Sequence, residues 1–125
     1  MSSNPPKARE VWSPVAVERR LAEIDHAITA GVDALAEAYA RYAHAKNELE
    51  KANAREYMRY NGPAHAKKYA AIVATEKLRD ELTLADIAYH YAKSRSEALK
   101  DQLSAVQSIG ASIRVQYENA GRGAA

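Results

Sequence analysis

The tripeptide Asn61-Gly62-Pro63 interrupts an otherwise helix-forming sequence close to its middle. Glycine supplies the left-handed conformation that closes many helix ends. Proline disfavours helix for the residue before it and suits the first position of a new helix. The tripeptide therefore predicts that one helix ends and another begins here, with a turn at residues 61–63.

Before this turn, apolar residues recur every seven positions in two interleaved rows, a pattern typical of a coiled coil. Ser13-Pro14 is a typical helix start, because the serine oxygen can accept a hydrogen bond from an unpaired amide and proline fits the first turn. The first helix is predicted over residues 13–60. Its seam consists of Leu21, Ile28, Leu35, Tyr42 and Leu49, alternating with Val17, Ile24, Gly31, Ala38, Ala45 and Ala52.

A similar repeat follows the turn and predicts a second helix over residues 63–118. Its seam consists of Ala71, Thr75, Leu78, Leu82, Ala85, Tyr89, Ala92, Ser96, Leu99, Leu103, Val106, Gly110, Ile113 and Tyr117. If the chain folds back about Gly62, Leu35 meets Tyr89 and the two seams face each other. We predict an all-α fold, a long antiparallel two-helix coiled-coil hairpin. A parallel dimer of kinked single helices is the alternative.

Both ends of the chain lack this periodicity. Residues 1–12 are polar and contain two prolines, which predicts a flexible N-terminal arm whose Trp12 covers Ile109 and Ile113. Residues 119–125 contain two glycines and are predicted to form a flexible tail.

The apolar content of 47% includes 27 alanines, which bury little surface. Two thin helices seldom form a stable fold alone, and apolar residues remain outside the seams. We predict that they form an outer stripe for a partner. A homo-oligomer such as a four-helix bundle dimer is the first interpretation, a different protein partner the second, and a monomer with water-tolerant Ala and Tyr the third. The outer stripe consists of Val32, Tyr39, Leu84, Ile87, Tyr91 and Ile109.

Basic residues concentrate around the turn. Residues 51–70 contain five basic residues and one acidic residue, whereas the whole chain has a net charge of +2. Cations beside tyrosine rings suit single-stranded nucleic acid, because the cations contact phosphates and the rings stack on bases. A solvated helix end is the alternative. This basic cluster consists of Lys51, Arg55, Arg59, Tyr60, Lys67 and Lys68.

The sequence offers little for catalysis or for a metal. There is no cysteine, no nucleophile elbow and no glycine-rich phosphate loop. Glu23 and His26 have the Glu-x-x-His spacing of di-iron bundles but no second copy. Asp86 and His90 have the spacing of a surface pair. We expect a protein that is not an enzyme, with no catalytic residues, no metal and no cofactor.

No segment approaches the ~20 apolar residues that span a bilayer, and no signal peptide opens the chain. We therefore expect no membrane association and a cytoplasmic location in the producing or host cell.

The stretch from Ala36 to Tyr117 resembles small Ala-rich helical-hairpin accessory proteins of tailed phages and prophages. The similarity lies in heptads such as Glu37-Ala-Tyr-Ala-Arg-Tyr, in the polar turn, and in the Ser96-Glu-Ala-Leu-Lys-Asp-Gln-Leu segment. It implies an accessory protein of a phage or mobile element, and such proteins are sometimes encoded near recombination or replication genes.

Three hypotheses for the function follow. The first is a helical adaptor that binds a protein partner, in phage DNA metabolism or in host takeover. The second is a single-stranded nucleic-acid-binding accessory of recombination or replication that acts through the basic cluster. The third is a structural component of a phage particle.

Overall fold

The computed structural model describes residues 11–123, and these residues are almost entirely helical. The helices are α1 (Pro14–Arg59), α2 (Ala64–Ala74) and α3 (Glu76–Gly123). They contain 93% of the described residues, and no strand occurs among those residues. The predicted all-α fold with two long helices is confirmed, with a short third helix between them.

Helix α1 begins where the sequence predicts. The Ser13 Oγ accepts a hydrogen bond of 3.2 Å from the backbone N–H of Ala16. The Ser13 carbonyl accepts a second bond, of 2.9 Å, from the N–H of Val17. Both bonds satisfy backbone groups in the first turn, which is how serine stabilises a helix N-terminus.

A side chain at position 62 would meet the Tyr60 ring, and the conformation at this position does not require glycine. The prediction of a left-handed Gly62 is wrong, since no glycine among the described residues has a positive φ. A Cβ on Gly62 would lie 2.7 Å from the Tyr60 hydroxyl oxygen and 2.8 Å from two of its ring carbons. The Tyr60 ring therefore occupies the room that a larger residue at position 62 would need.

The second helical segment is interrupted at Thr75, so the prediction of one helix over residues 63–118 is wrong. Thr75 has φ −109° and ψ 17°, and it is buried. Its hydroxyl donates to the Ala71 carbonyl at 2.7 Å and accepts from Arg79 Nε at 3.1 Å. Hydroxyl bonds to the preceding turn compete with helical geometry and bend helices. Helix α3 begins at the next residue.

The other end of this segment also differs from the prediction. Helix α3 continues to Gly123, so the predicted tail is wrong for residues 119–123. Glycine costs only about 1 kcal/mol relative to alanine in a helix, and this segment contains no proline. Residues 124–125 lie outside the described residues.

Among the described residues, one compact unit consists of residues 11–28 and 98–123. A Cβ on Gly110 would lie 3.0 Å from Val17 Cγ1, so the small residue permits a close approach of α1 and α3 here. Trp12 packs against this core, as predicted, although it falls within the predicted flexible arm. Residues 1–10 lie outside the described residues. The buried core consists of Val17, Ile24, Val106 and Ile113, with Trp12, Leu21, Ile28, Leu103 and Ile109 packed against it.

The second unit spans Thr29–Glu97. In it, the Tyr89 ring of α3 stacks on Tyr42 of α1 at 5.7 Å and lies 5.5 Å from Tyr39. Arg79 bonds Asn53 across the same two helices. Asn53 follows Tyr42 in α1, whereas its partner Arg79 precedes Tyr89 in α3. The two helices are therefore antiparallel within this unit. The predicted register placed Leu35 opposite Tyr89, whereas the observed ring contacts lie four and seven residues further along α1.

Burial follows the predicted seams closely. Every predicted seam residue of both helical segments is buried or partly buried, except Tyr117. The heptad pattern therefore predicts correctly which side of each helix is covered, although it misplaces which residues face each other.

Candidate functional site

The largest exposed apolar side chains of α3 in the second unit lie on one face of the helix. Leu84, Ile87 and Tyr91 are spaced by three and four residues, which places them side by side. Their side chains are 69%, 61% and 68% exposed. We call these three residues the α3 ridge. They belong to the predicted outer stripe, and the structure leaves them accessible.

The α3 ridge points away from the contact with α1. Tyr91 follows Tyr89 by two residues, a rotation of about 200° around the helix. Tyr89 packs on Tyr42 and Tyr39 of α1, so the Tyr91 side chain points in nearly the opposite direction. Leu84 and Ile87 stand in the same relation to the partly buried Leu82 and Ala85.

The structure does not join the six predicted stripe residues into one surface. Val32 and Tyr39 are exposed and lie one heptad apart on α1, but Tyr39 touches Tyr89 and so lies beside the helix contact. Ile109 belongs to the first unit, where it is partly buried against the core. Ile109 therefore packs partly against the core, and its assignment to the outer stripe stays a prediction.

A shallow groove of about 390 Å³ adjoins the α3 ridge, and Leu84 forms part of its edge. Alanines from both helices line it, namely Ala34, Ala38, Ala85 and Ala88. The Glu37 and Arg41 side chains on α1 also border the groove and form an ion pair of 2.8 Å. Leu84 of the α3 ridge thus stands directly beside a recess lined largely by alanines.

The basic cluster is brought together by the turn, but most of its cations already have partners. Arg59 pairs with Glu56 at 3.2 Å, and Lys51 lies 3.8 Å from Glu48. These pairs are exposed, so each contributes little to stability. They nevertheless reduce the local positive charge that the composition suggests.

The remaining members of the basic cluster differ in their surroundings. The ammonium of Lys67 on α2 lies 5.5 Å from the centroid of the Tyr57 ring on α1, a cation–π contact across the turn. Tyr60 is partly buried against Gly62. Arg55 and Lys68 are exposed, and within the described part of the chain they form no ion pair.

Sequence reasoning missed an apolar face on α2. Tyr69 and Val73 are 67% and 71% exposed, and Ile72, which is 36% exposed, lies beside them. We call these three residues the α2 face. A groove of about 310 Å³ adjoins this face and is lined by Ile72, Val73, Glu76, Arg79 and Asp80. The spacing of residues 69, 72 and 73 outside the seam could have indicated this face from the sequence.

Three of the residues considered for chemistry, Glu23, Asp86 and His90, form ordinary surface pairs. Glu23 pairs with Arg20 at 3.1 Å, and His90 Nδ1 lies 3.0 Å from the Asp86 carboxylate. Between residues 11 and 123, no group of three or more His, Asp or Glu residues is arranged to hold a metal ion.

The described residues thus form an all-α protein with two long helices and one short helix. Its candidate functional features are the exposed apolar and basic side chains on the faces of these helices. No protein-family model, curated protein or solved structure matches this chain. None of the helices described here has a stretch both long enough and apolar enough to cross a membrane.

Proposed function

We propose that this protein is a non-enzymatic helical adaptor, a coiled-coil hairpin that associates with a second copy through the α3 ridge and binds a further protein. The observation that supports this proposal is that α3 is apolar on two opposite faces in the second unit. Leu82, Ala85 and Tyr89 are partly buried, whereas Leu84, Ile87 and Tyr91 are exposed. A helix with two apolar faces requires a packing partner for each.

A second copy suits the α3 ridge because ridge and groove are adjacent on the same chain. In a twofold dimer, each ridge can fill the groove of the other copy, so the interface uses one patch twice. The Leu84 side chain stands beside the groove lined by Ala34, Ala38, Ala85 and Ala88. Small residues there permit close approach of the helices, and the product is a four-helix bundle.

The resemblance to small phage and prophage proteins supplies the biological setting of the proposal. We propose an accessory factor of a phage or mobile element, active in DNA metabolism or host takeover. A bundle of long helices offers extended surfaces and acts by holding partners together, which requires no reaction centre.

Sedimentation equilibrium over a wide concentration range tests the self-association. We expect the wild type to dimerise and Ile87→Glu to shift the dissociation constant by at least about tenfold, since a charge is then buried in an apolar contact. Asn47→Glu is the matched control, because Asn47 is exposed on α1 outside the ridge. A wild type that stays monomeric at high concentration, or equal effects of the two variants, would refute the proposal.

A further inference from the structure

We propose that Asn61 is a modification site, at which the folded chain deamidates without an enzyme and forms isoaspartate. The inference goes beyond the proposed adaptor function and does not depend on it. It is carried by the position of Asn61 and Gly62 in the turn that joins α1 to α2, outside both helices.

The reaction joins two groups that are neighbours in the chain. The backbone nitrogen of Gly62 loses its proton and attacks Cγ of the Asn61 side chain. A new C–N bond closes a five-membered succinimide, the C–N bond of the side-chain amide breaks, and ammonia leaves. One water then opens the ring at either of its two carbonyls and gives aspartate or isoaspartate. Water is consumed, ammonia is released, and no electrons are transferred.

The turn leaves both reacting groups accessible. Asn61 and Gly62 are exposed, and neither lies in a helix. Glycine has no Cβ, so the attacking residue carries no side chain that hinders its own nitrogen. Among the described residues, the Gly62 N–H donates no hydrogen bond and the Asn61 side chain makes none. Ring closure at Asn61 therefore requires no hydrogen bond within the protein to break.

The other described asparagines are held in helices. Asn47 and Asn53 lie in α1 and Asn119 lies in α3, and each is followed by a residue with a side chain. The nitrogen that would attack belongs to a helical residue and is bonded to the preceding turn, so the helix must open before the ring can close. Asn53 is held further, because its Oδ1 accepts a hydrogen bond from Arg79. Position and neighbour thus both single out Asn61.

The product changes the turn in two ways. Residues 51–70 carry a formal charge of +4, and a carboxylate in place of the Asn61 amide lowers it to +3. Isoaspartate also places the side-chain Cβ in the main chain, which lengthens the connection between α1 and α2 by one atom. The contact between Lys67 and the Tyr57 ring spans this same turn. Deamidation therefore alters the charge of the basic cluster and the link between the helices that carry it.

Peptide mapping after incubation of the full chain tests the proposal. Trypsin places the four described asparagines on separate peptides, with Asn61 on peptide 60–67. We expect this peptide to convert from amide to acid at least about tenfold faster than the other three. Conversion should be faster in mildly alkaline than in mildly acidic buffer, since the nitrogen must lose its proton. Labelling by an isoaspartyl methyltransferase identifies the isoaspartate, and a sample digested without incubation corrects for conversion during digestion.

Two variants connect the reaction to these two residues. Gly62→Ala should slow conversion of peptide 60–67 at least about tenfold, because a Cβ hinders the attacking nitrogen. Asn61→Gln should remove the fast reaction, since its longer side chain would close a less favourable six-membered ring. Circular dichroism of each variant checks that the helices are intact.

The same mapping in urea separates the effect of the fold from that of the sequence. Unfolding should accelerate Asn47, Asn53 and Asn119, whereas Asn61 should react at a similar rate in both states. An Asn61 that reacts in urea but stays intact in the folded chain would overturn the proposal, because the turn would then protect it. Equal rates for all four asparagines in the folded chain, or an unchanged rate in Gly62→Ala, would overturn it as well.

Discussion

Arg79 of α3 donates a hydrogen bond of 3.0 Å from its Nη2 to the Oδ1 of Asn53 in α1. The same guanidinium donates from Nε to the Thr75 hydroxyl at 3.1 Å. Thr75 in turn holds the carbonyl of Ala71 near the end of α2. One side chain therefore connects α1 to the junction between α2 and α3, where the second helical segment is interrupted.

The Arg79–Asn53 bond should be measurable as a coupling energy. We expect Arg79→Ala and Asn53→Ala to be non-additive by about 1 kcal/mol in urea denaturation, because each removes the partner of the other. Arg79→Lys should recover little of that energy, since a single ammonium cannot reach two acceptors in the fixed geometry of a guanidinium. Additivity to within about 0.3 kcal/mol would show that the bond contributes nothing.

The Thr75 junction explains why part of the fold was not predictable from the sequence. The heptad pattern counts Thr75 as a seam residue, and it is indeed buried. The interruption, however, coincides with a hydroxyl that bonds Ala71 and Arg79, and Arg79 also bonds Asn53 in a different helix. Local patterns do not contain a contact between residues 26 positions apart.

For the candidate surfaces, too, the sequence predicts what depends on one helix alone, but it does not predict what depends on packing between helices. Leu84, Ile87 and Tyr91 lie outside the heptad positions of the predicted seam, and this alone predicted correctly that they are exposed. Ile109 also lies outside the predicted seam, yet it is partly buried because it packs against the core of the first unit. The spacing of apolar residues shows in which direction a side chain points from its own helix. It does not show which residues of other helices pack against that side chain.

The contact between Gly62 and Tyr60 predicts that the effect of Gly62→Ala on the free energy of unfolding depends on the side chain at position 60. Gly62→Ala should destabilise the chain by no more than about 1 kcal/mol, since its Cβ requires the end of the Tyr60 side chain to move. In a Tyr60→Ala background no ring opposes the new Cβ. Because φ at position 62 is not positive, Gly62→Ala should there be neutral or stabilising by up to about 1 kcal/mol. Thermal unfolding of the four proteins measures both effects. Equal destabilisation in the two backgrounds would show that space around Tyr60 is not what position 62 requires.

The core of the first unit should respond to truncation far more than an exposed position does. Ile24 is 2% exposed and belongs to the buried cluster with Val17, Val106 and Ile113. We expect Ile24→Ala to lower the free energy of unfolding by about 2–5 kcal/mol, the range for apolar side chains removed from a packed core. Val32→Ala, at an exposed position, should change it by no more than about 0.5 kcal/mol. Urea unfolding followed by circular dichroism compares the two, and similar losses would contradict the assignment of this core.

Binding of single-stranded DNA to the basic cluster is expected to be too weak to measure, even at ~50 mM salt, where phosphate contacts are strongest. Lys51 and Arg59 are paired with glutamates, and Lys67 lies over the Tyr57 ring, which leaves Arg55 and Lys68. Two phosphate contacts would give a slope of log affinity against log salt of only about 1.4, at about 0.7 for each contact. A deoxythymidine oligonucleotide titrated against the wild type, Arg55→Ala/Lys68→Ala and the control Arg20→Ala measures this slope. Measurable binding with a slope near 3.5, about 0.7 for each of the five cations, would mean that the ion pairs open on contact with DNA. That result would favour nucleic acid as a ligand of this end of the chain.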